Sequence, residues 1–153
     1  GGFPGVVLKI LEPTIRLTLL DGLGKRVTFL EELCQTLGLE GTSCVHARAE
    51  ELAHDPRYRE QFDVATSRAV AALPILCELC LPYVKPGGDF LAMKSTREEK
   101  TFENPSLGDG IAKKAEYQIP ETDIWHRVIR IPKIKNTAKE YPRRWSKIKK
   151  VKI

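Results

Sequence analysis

The chain has 153 residues, 42% of them hydrophobic and 29% charged, with a formal net charge of +5. That length and balance fit one globular domain able to bury a core, and they exclude a disordered chain. Its apolar runs fall short of the ~20 residues a membrane-spanning helix needs.

"GGFPGVVLKI" reads as a glycine-rich turn opening a helix, with Val6, Val7, Ile10 and Leu11 on one face at 3.6 residues per turn. Pro4 takes a first-turn position, where a missing N–H costs nothing. Such a turn offers backbone N–H groups to a ligand. "TIRLTLLD" is a strand ending on the carboxylate of Asp21. A helix follows, with Val27, Leu30, Leu33, Cys34 and Leu37 at helical spacing and Gly38 as its stop. "TSCVHA" is a short strand, and "RAEELAHDPRYREQ" is loop and short helix. "FDVATSRAV" has the near-continuous apolar character of a strand buried on both faces of a parallel sheet. "ALPILCELCLPYV" is a buried helix, "KPGG" a turn and "DFLAMK" a strand. Residues 95–112 read as polar helix or loop. "AEYQIP" and "DIWHRVIRIPKI" then predict a terminal hairpin, and from Lys135 onward no structure is predicted.

This alternation predicts an α/β fold, a doubly wound and mostly parallel sheet with a terminal antiparallel hairpin. Residues 1–134 form its domain and 135–153 a basic C-terminal tail. From Arg127 to Ile153 there are 11 Lys or Arg and one acid, Glu140, which leaves the preceding body net acidic. That asymmetry points to a polyanionic partner or to a solvated terminus. Cys77 and Cys80 form a C-x-x-C, but their apolar, helix-compatible neighbours favour core thiols of a reduced, cytoplasmic protein over a metal or redox site.

Ligands of doubly wound sheets bind at the carboxyl ends of the strands, which singles out the opening turn, Asp21, Ala49, Glu50 and Arg68. Asp21 stands where an acid grips ribose hydroxyls in nucleoside-binding sheets; it could equally cap the helix that follows. The opening turn, with proline between its glycines, suits a methyl donor better than a dinucleotide. "LPYVKPGGDFLAMK" and the terminal hairpin also resemble class I S-adenosylmethionine methyltransferases, whose fold is Rossmann-like.

"GGFPGVVLKI", "LLDGLGKRVTFLEEL", "HARAEEL", "FDVATSRAVA", "LPYVKPGGDFLAMK" and "IKNTAKEYPRR" together resemble, in that order, the glucose-inhibited division protein B family. These are bacterial methyltransferases that act on one guanine N7 of small-subunit (16S) ribosomal RNA. The resemblance implies S-adenosyl-L-methionine as cofactor. Gly1, Gly2 and Phe3 would line its pocket, Asp21, Gly22 and Leu23 hold the ribose, Ala49 and Glu50 flank the adenine, and Arg68 sit beside the cofactor. For Glu50 a solvated loop acid, and for Arg68 an ordinary ion pair, are the alternatives. It further implies a first strand and N-terminal helices that this chain lacks. The tail after Arg144 departs from the family pattern.

Methylation of N7 uses a lone pair already present at neutral pH, so no catalytic nucleophile, acid–base pair or metal is expected; His46, His54 and His126 read as structural. Ribosomal RNA is the implied partner, with or without ribosomal protein. Its phosphates would meet Lys94, Lys135, Arg143 and Arg144, with Trp145 stacking on a base or anchoring the tail. The alternative reading is a non-catalytic RNA-binding remnant of such an enzyme.

Overall fold

The computed structural model describes residues 2–68, 71–95 and 102–151, and the chain divides into two units, Gly1–Ala49 and Glu50–Ile153. In the first unit, α1 (Gly5–Leu11) leads to β1 (Leu17–Asp21), α2 (Gly24–Thr36) and β2 (Thr42–His46). β1 and β2 pair in parallel, with Leu17 opposite Thr42 and Asp21 opposite His46. Parallel neighbours need a crossover, and α2 supplies it. α2 buries Val27, Leu30 and Cys34. It stops where Gly38 takes a φ of 64° and the Leu39 N–H returns to the Cys34 carbonyl at 2.9 Å. Val6, Leu19, Leu30 and Cys34 form the core of this unit.

The face that α1 buries differs from the one its periodicity predicts. Gly5, Val6 and Lys9 are buried, whereas Val7, Ile10 and Leu11 are exposed. The helix approaches β1 at Gly5, where a Cβ would lie 3.0 Å from the Leu19 side chain. One turn later that closely packed side falls to Lys9. Its ammonium donates to the carbonyls of Pro13 and Ile15, which offsets the loss of water.

The second unit contains α3 (Ala49–Leu52, straddling the boundary), β3 (Phe62–Arg68), α4 (Leu73–Cys80), β4 (Val84–Ser95), β5 (Lys113–Gln118), β6 (Trp125–Pro132) and α5 (Trp145–Ile148). Its sheet runs β3-β4-β6-β5: β3 and β4 are parallel, and β6 is antiparallel to both β4 and β5. The terminal hairpin is therefore present, at one edge. Leu73, Leu76, Cys77 and Leu81 pack against Phe90 and Ala92 of β4 and Ile129 and Ile131 of β6, all at most 3% exposed. All four cysteines are free thiols, and burial pushes Cys80 up to about 12.

Two local expectations change. β3 is not buried on both faces: it is the other edge of this sheet, and Val64 is 47% exposed. "KPGG" is not a turn before β4 but a bulge inside it. Phe62 pairs with Val84 and Val64 with Asp89, so Lys85–Gly88 stand opposite Asp63 alone. Gly87 has a φ of 90°, and a Cβ on Gly88 would lie 2.3 Å from the Asp63 carbonyl oxygen. Only glycine fits there.

Residues 134–151 are also ordered, and they pack within the second unit rather than forming a separate tail. Arg59 donates to the carbonyls of Thr137, Ala138 and Tyr141 at 3.1, 3.0 and 2.9 Å. Glu60 accepts from the Thr137 N–H at 2.7 Å and from the Asn136 side chain. Beside them Lys133, 1% exposed, donates to the carbonyls of Leu81 and Val84 at 2.8 Å each. Burial drives its pKa down to about 8, against the pull of Glu60 at 3.8 Å.

Candidate functional site

The first unit places Asp21, Gly22 and Leu23 of the predicted constellation at the carboxyl end of β1. Asp21 is the last residue of that strand and 9% exposed. Its Oδ1 accepts the Leu23 N–H at 2.9 Å, and Arg26 lies 3.6 Å from Oδ2. Burial opposes the charge, whereas the Leu23 N–H and the Arg26 guanidinium favour it. The group is thus an ionised acceptor at a strand end. It also organises the turn into α2 without capping it, since the N-cap is Leu23 and, among the described residues, no side chain bonds the first helical N–H groups. Gly22 and Leu23 form that turn. The Gly22 carbonyl accepts from His46 Nε2 at 3.2 Å, and Leu23 is 55% exposed.

Gly2 is buried at the start of α1, where its carbonyl accepts the Val6 N–H at 2.8 Å. A Cβ there would lie 2.6 Å from Leu30, so the backbone is as close to the unit's core as glycine permits. Phe3 beside it is 51% exposed. Gly1 lies outside the described residues. An open depression of about 440 Å³, lined by Glu31, Gln35, Glu40, Thr42 and Cys44 among others, is at the opposite, amino-terminal end of β2. It involves none of the predicted site residues.

Ala49 closes the first unit and is the first residue of α3. In the second unit, Glu50 follows it on the first turn of α3 and is 6% exposed, so it is no solvated loop acid. Burial, then Cys80 and then the Glu50 charge push the pKa of the buried Tyr83 hydroxyl up. Arg68 is the exposed last residue of β3, in register with Met93 of β4. Asp21 and Arg68 thus end parallel strands and Gly22, Leu23, Ala49 and Glu50 follow strand ends, whereas Gly2 and Phe3 stand at the start of α1.

The predicted phosphate contacts divide into two kinds. Lys94 is half-buried and donates to the Ala71 carbonyl at 2.6 Å. The charge of Arg143 is met by Glu78: its backbone N–H, Nε and NH2 donate to that carboxylate at 2.8, 2.8 and 2.6 Å. Both are committed to the protein's own structure, Lys94 to half-buried Ala71 in the bend before α4 and Arg143 to buried Glu78 on α4. Lys135 and Arg144 are exposed. Trp145, at 40% exposure, opens α5. Sequence reasoning missed Arg59, Glu60 and Glu78, whose partners lie 65 to 82 residues away; no local pattern marks them.

His54 bonds the Pro142 carbonyl at 2.8 Å, and His126 stacks on Tyr117 with ring centroids 5.9 Å apart. Among the described residues no three His, Cys, Asp or Glu side chains form a group fit for a metal ion, and no helix is long and apolar enough to cross a membrane.

A family profile described as rRNA small subunit methyltransferase G matches residues 1–123. Curated relatives of that same name are similar over nearly the whole chain. The one from Alkaliphilus metalliredigens is 45% identical over 94% of this chain, and that from Clostridium botulinum strain Loch Maree 46% identical over 97%. The chain spans 62% and 64% of their respective lengths. Among solved structures, the S-adenosylmethionine-dependent methyltransferase SibL superposes with a TM-score of 0.63 at 15% identity, covering 88% of this chain and 48% of that one. TrmN from Thermus thermophilus superposes with a TM-score of 0.56 at 19% identity, covering 84% and 39%. The fold is thus the Rossmann-like fold of class I methyltransferases.

Proposed function

The chain belongs to the rRNA small subunit methyltransferase G family, and on that premise we propose that it methylates the N7 of a guanine in small-subunit (16S) ribosomal RNA in the cytoplasm. The observation that carries the reading is Asp21, an ionised and largely buried acceptor ending β1 within the family-matched region. The donor set fits S-adenosyl-L-methionine. Asp21 and Glu50 are buried acceptors suited to ribose hydroxyls and the adenine amine. When bound, that cofactor supplies an electrophilic methyl group on a sulfonium.

The protein's own part is orientation. Asp21 accepts the ribose hydroxyls, with Gly22 and Leu23 shaping the turn around them. Ala49 and Glu50 would read the adenine edge, with Phe3 and Arg68 the further residues proposed to hold the cofactor. No side chain has to remove a proton, since N7 presents its lone pair in the plane of the base. Holding that lone pair in line with the methyl group supplies roughly 7–11 kcal/mol in favourable cases. The target guanine is unpaired or flipped out of its stack, because N7 chemistry inside an A-form groove is out of reach.

The test is nucleoside analysis by mass spectrometry after the chain and S-adenosylmethionine are incubated with small-subunit RNA from cells lacking this activity. 7-Methylguanosine should accumulate with the wild type and be lost in Asp21→Ala. RNA binding without methyl transfer would favour a non-catalytic RNA-binding protein instead.

A further inference from the structure

Beyond residues 1–123, which the family profile matches, residues 134–151 combine two properties that rarely occur together. Lys135, Lys139, Arg144, Lys147, Lys149 and Lys150 are all exposed, and Glu140 is the one acid in the segment. A run of cations with so little opposing charge is ordinarily a solvated, mobile stretch. Here the backbone beneath them is pinned. Besides Arg59 and Glu60, the Glu78 carboxylate on α4, 2% exposed, takes three hydrogen bonds from Arg143. The Thr137 hydroxyl donates to the Leu107 carbonyl at 2.8 Å, the Ala138 N–H to the Ser106 carbonyl at 2.7 Å, and Ile148 of α5 is fully buried.

Burying charge is costly unless it is fully partnered. Glu60, Glu78 and Lys133 are buried or nearly so, and Glu60 and Glu78 are turned onto a segment whose outward cations form no ion pair among the described residues. Ordering such a segment beforehand removes an entropic cost that a flexible tail would meet on binding. Ile148, the apolar anchor of α5, is used inside the protein; Ile134 and Trp145 are the large apolar side chains the segment exposes, and six cations surround them in sequence.

We propose that residues 135–150 form a prefolded phosphate-docking surface that grips the RNA backbone at a distance in sequence from the methyl-donor residues, with Arg59 and Glu78 as its positioning residues. The identity of the polyanion as RNA rests on the function proposed above.

The test uses the full chain, a small-subunit ribosomal RNA fragment and a salt series, with S-adenosylhomocysteine affinity measured in parallel. Each lost phosphate contact removes about 0.7–0.9 from the slope of log affinity against log salt. The triple variant Lys147→Ala, Lys149→Ala, Lys150→Ala should therefore show a slope shallower by roughly 2 and about 10–100-fold weaker RNA binding, with S-adenosylhomocysteine affinity unchanged. Glu78→Gln separates geometry from charge. It raises the net charge by one and leaves every exposed cation in place, so a charge-only tail would bind RNA more tightly. A prefolded surface should bind it several-fold more weakly, with faster amide exchange in residues 135–151. An unchanged slope in the triple variant, tighter binding by Glu78→Gln, or a preference for anionic lipid vesicles over RNA would each overturn the proposal. If the triple variant behaves as expected while the wild type ignores S-adenosylhomocysteine, the docking surface stands and the methyltransferase reading fails.

Discussion

Arg59 offers the sharpest test of how the C-terminal segment is held. Its planar guanidinium reaches four carbonyls: Ala53 at 3.2 Å and, across the segment, Tyr141 at 2.9 Å, Thr137 at 3.1 Å and Ala138 at 3.0 Å. Arg59→Lys keeps the charge but replaces the fork with a single ammonium. At least two of the four contacts are lost, each net worth about 1 kcal/mol, so the segment should be destabilised by about 2 kcal/mol. Because 1.36 kcal/mol is a factor of ten, amide exchange in residues 135–151 should accelerate by roughly 30-fold. Exchange in β1 and β2, which belong to the other unit, should be unaffected. Peptide-resolved hydrogen exchange followed by mass spectrometry reads both regions at once. Unchanged protection in the segment, or an equal loss in both units, would refute the reasoning.

Two further outcomes are expected. Burial lowers the Lys133 pKa from 10.5 to about 8, so between those values the unfolded chain binds more protons than the folded one and stability rises with pH. The penalty is fully present below pH 8 and amounts to about 3 kcal/mol; urea unfolding at stepped pH should show the rise in wild type relative to Lys133→Met, and parallel profiles would refute it. Gly88→Ala would place a Cβ 2.3 Å from the Asp63 carbonyl oxygen, which should cost about 2–4 kcal/mol through overpacking at the β4 bulge. Thermal unfolding checks this, and an unchanged midpoint would mean the bulge relaxes freely.

Most of the architecture was legible because it is local. Alternation of strand and helix patterns located β2, β3, α4 and β6, and Gly38 marked the end of α2. What escaped depends on neighbours distant in sequence. The exposure of Val64 follows from β3 being a sheet edge, and the burial of Lys9 from close packing at Gly5. "KPGG" carries a strong turn signal, yet the flanking pairs of Val84 and Asp89 with β3, and hydrogen bonds of Gly87 and Gly88 with Lys133 just past β6, carry it through β4 as a bulge. The order of residues 134–151 comes from Arg59, Glu60 and Glu78, which nothing in a basic, lysine-rich stretch announces. At the site the same division holds. Asp21 and Arg68 could be found from strand ends alone, whereas the internal partners of Lys94 and Arg143 exist only in three dimensions.

Calorimetric titration of the chain with S-adenosylhomocysteine addresses the central claim most directly. Binding near micromolar in wild type, weakened at least tenfold in Asp21→Asn and in Glu50→Gln with folding intact, is the outcome the account predicts. No heat of binding in the folded wild-type chain, or affinity indifferent to both carboxylates, would contradict it.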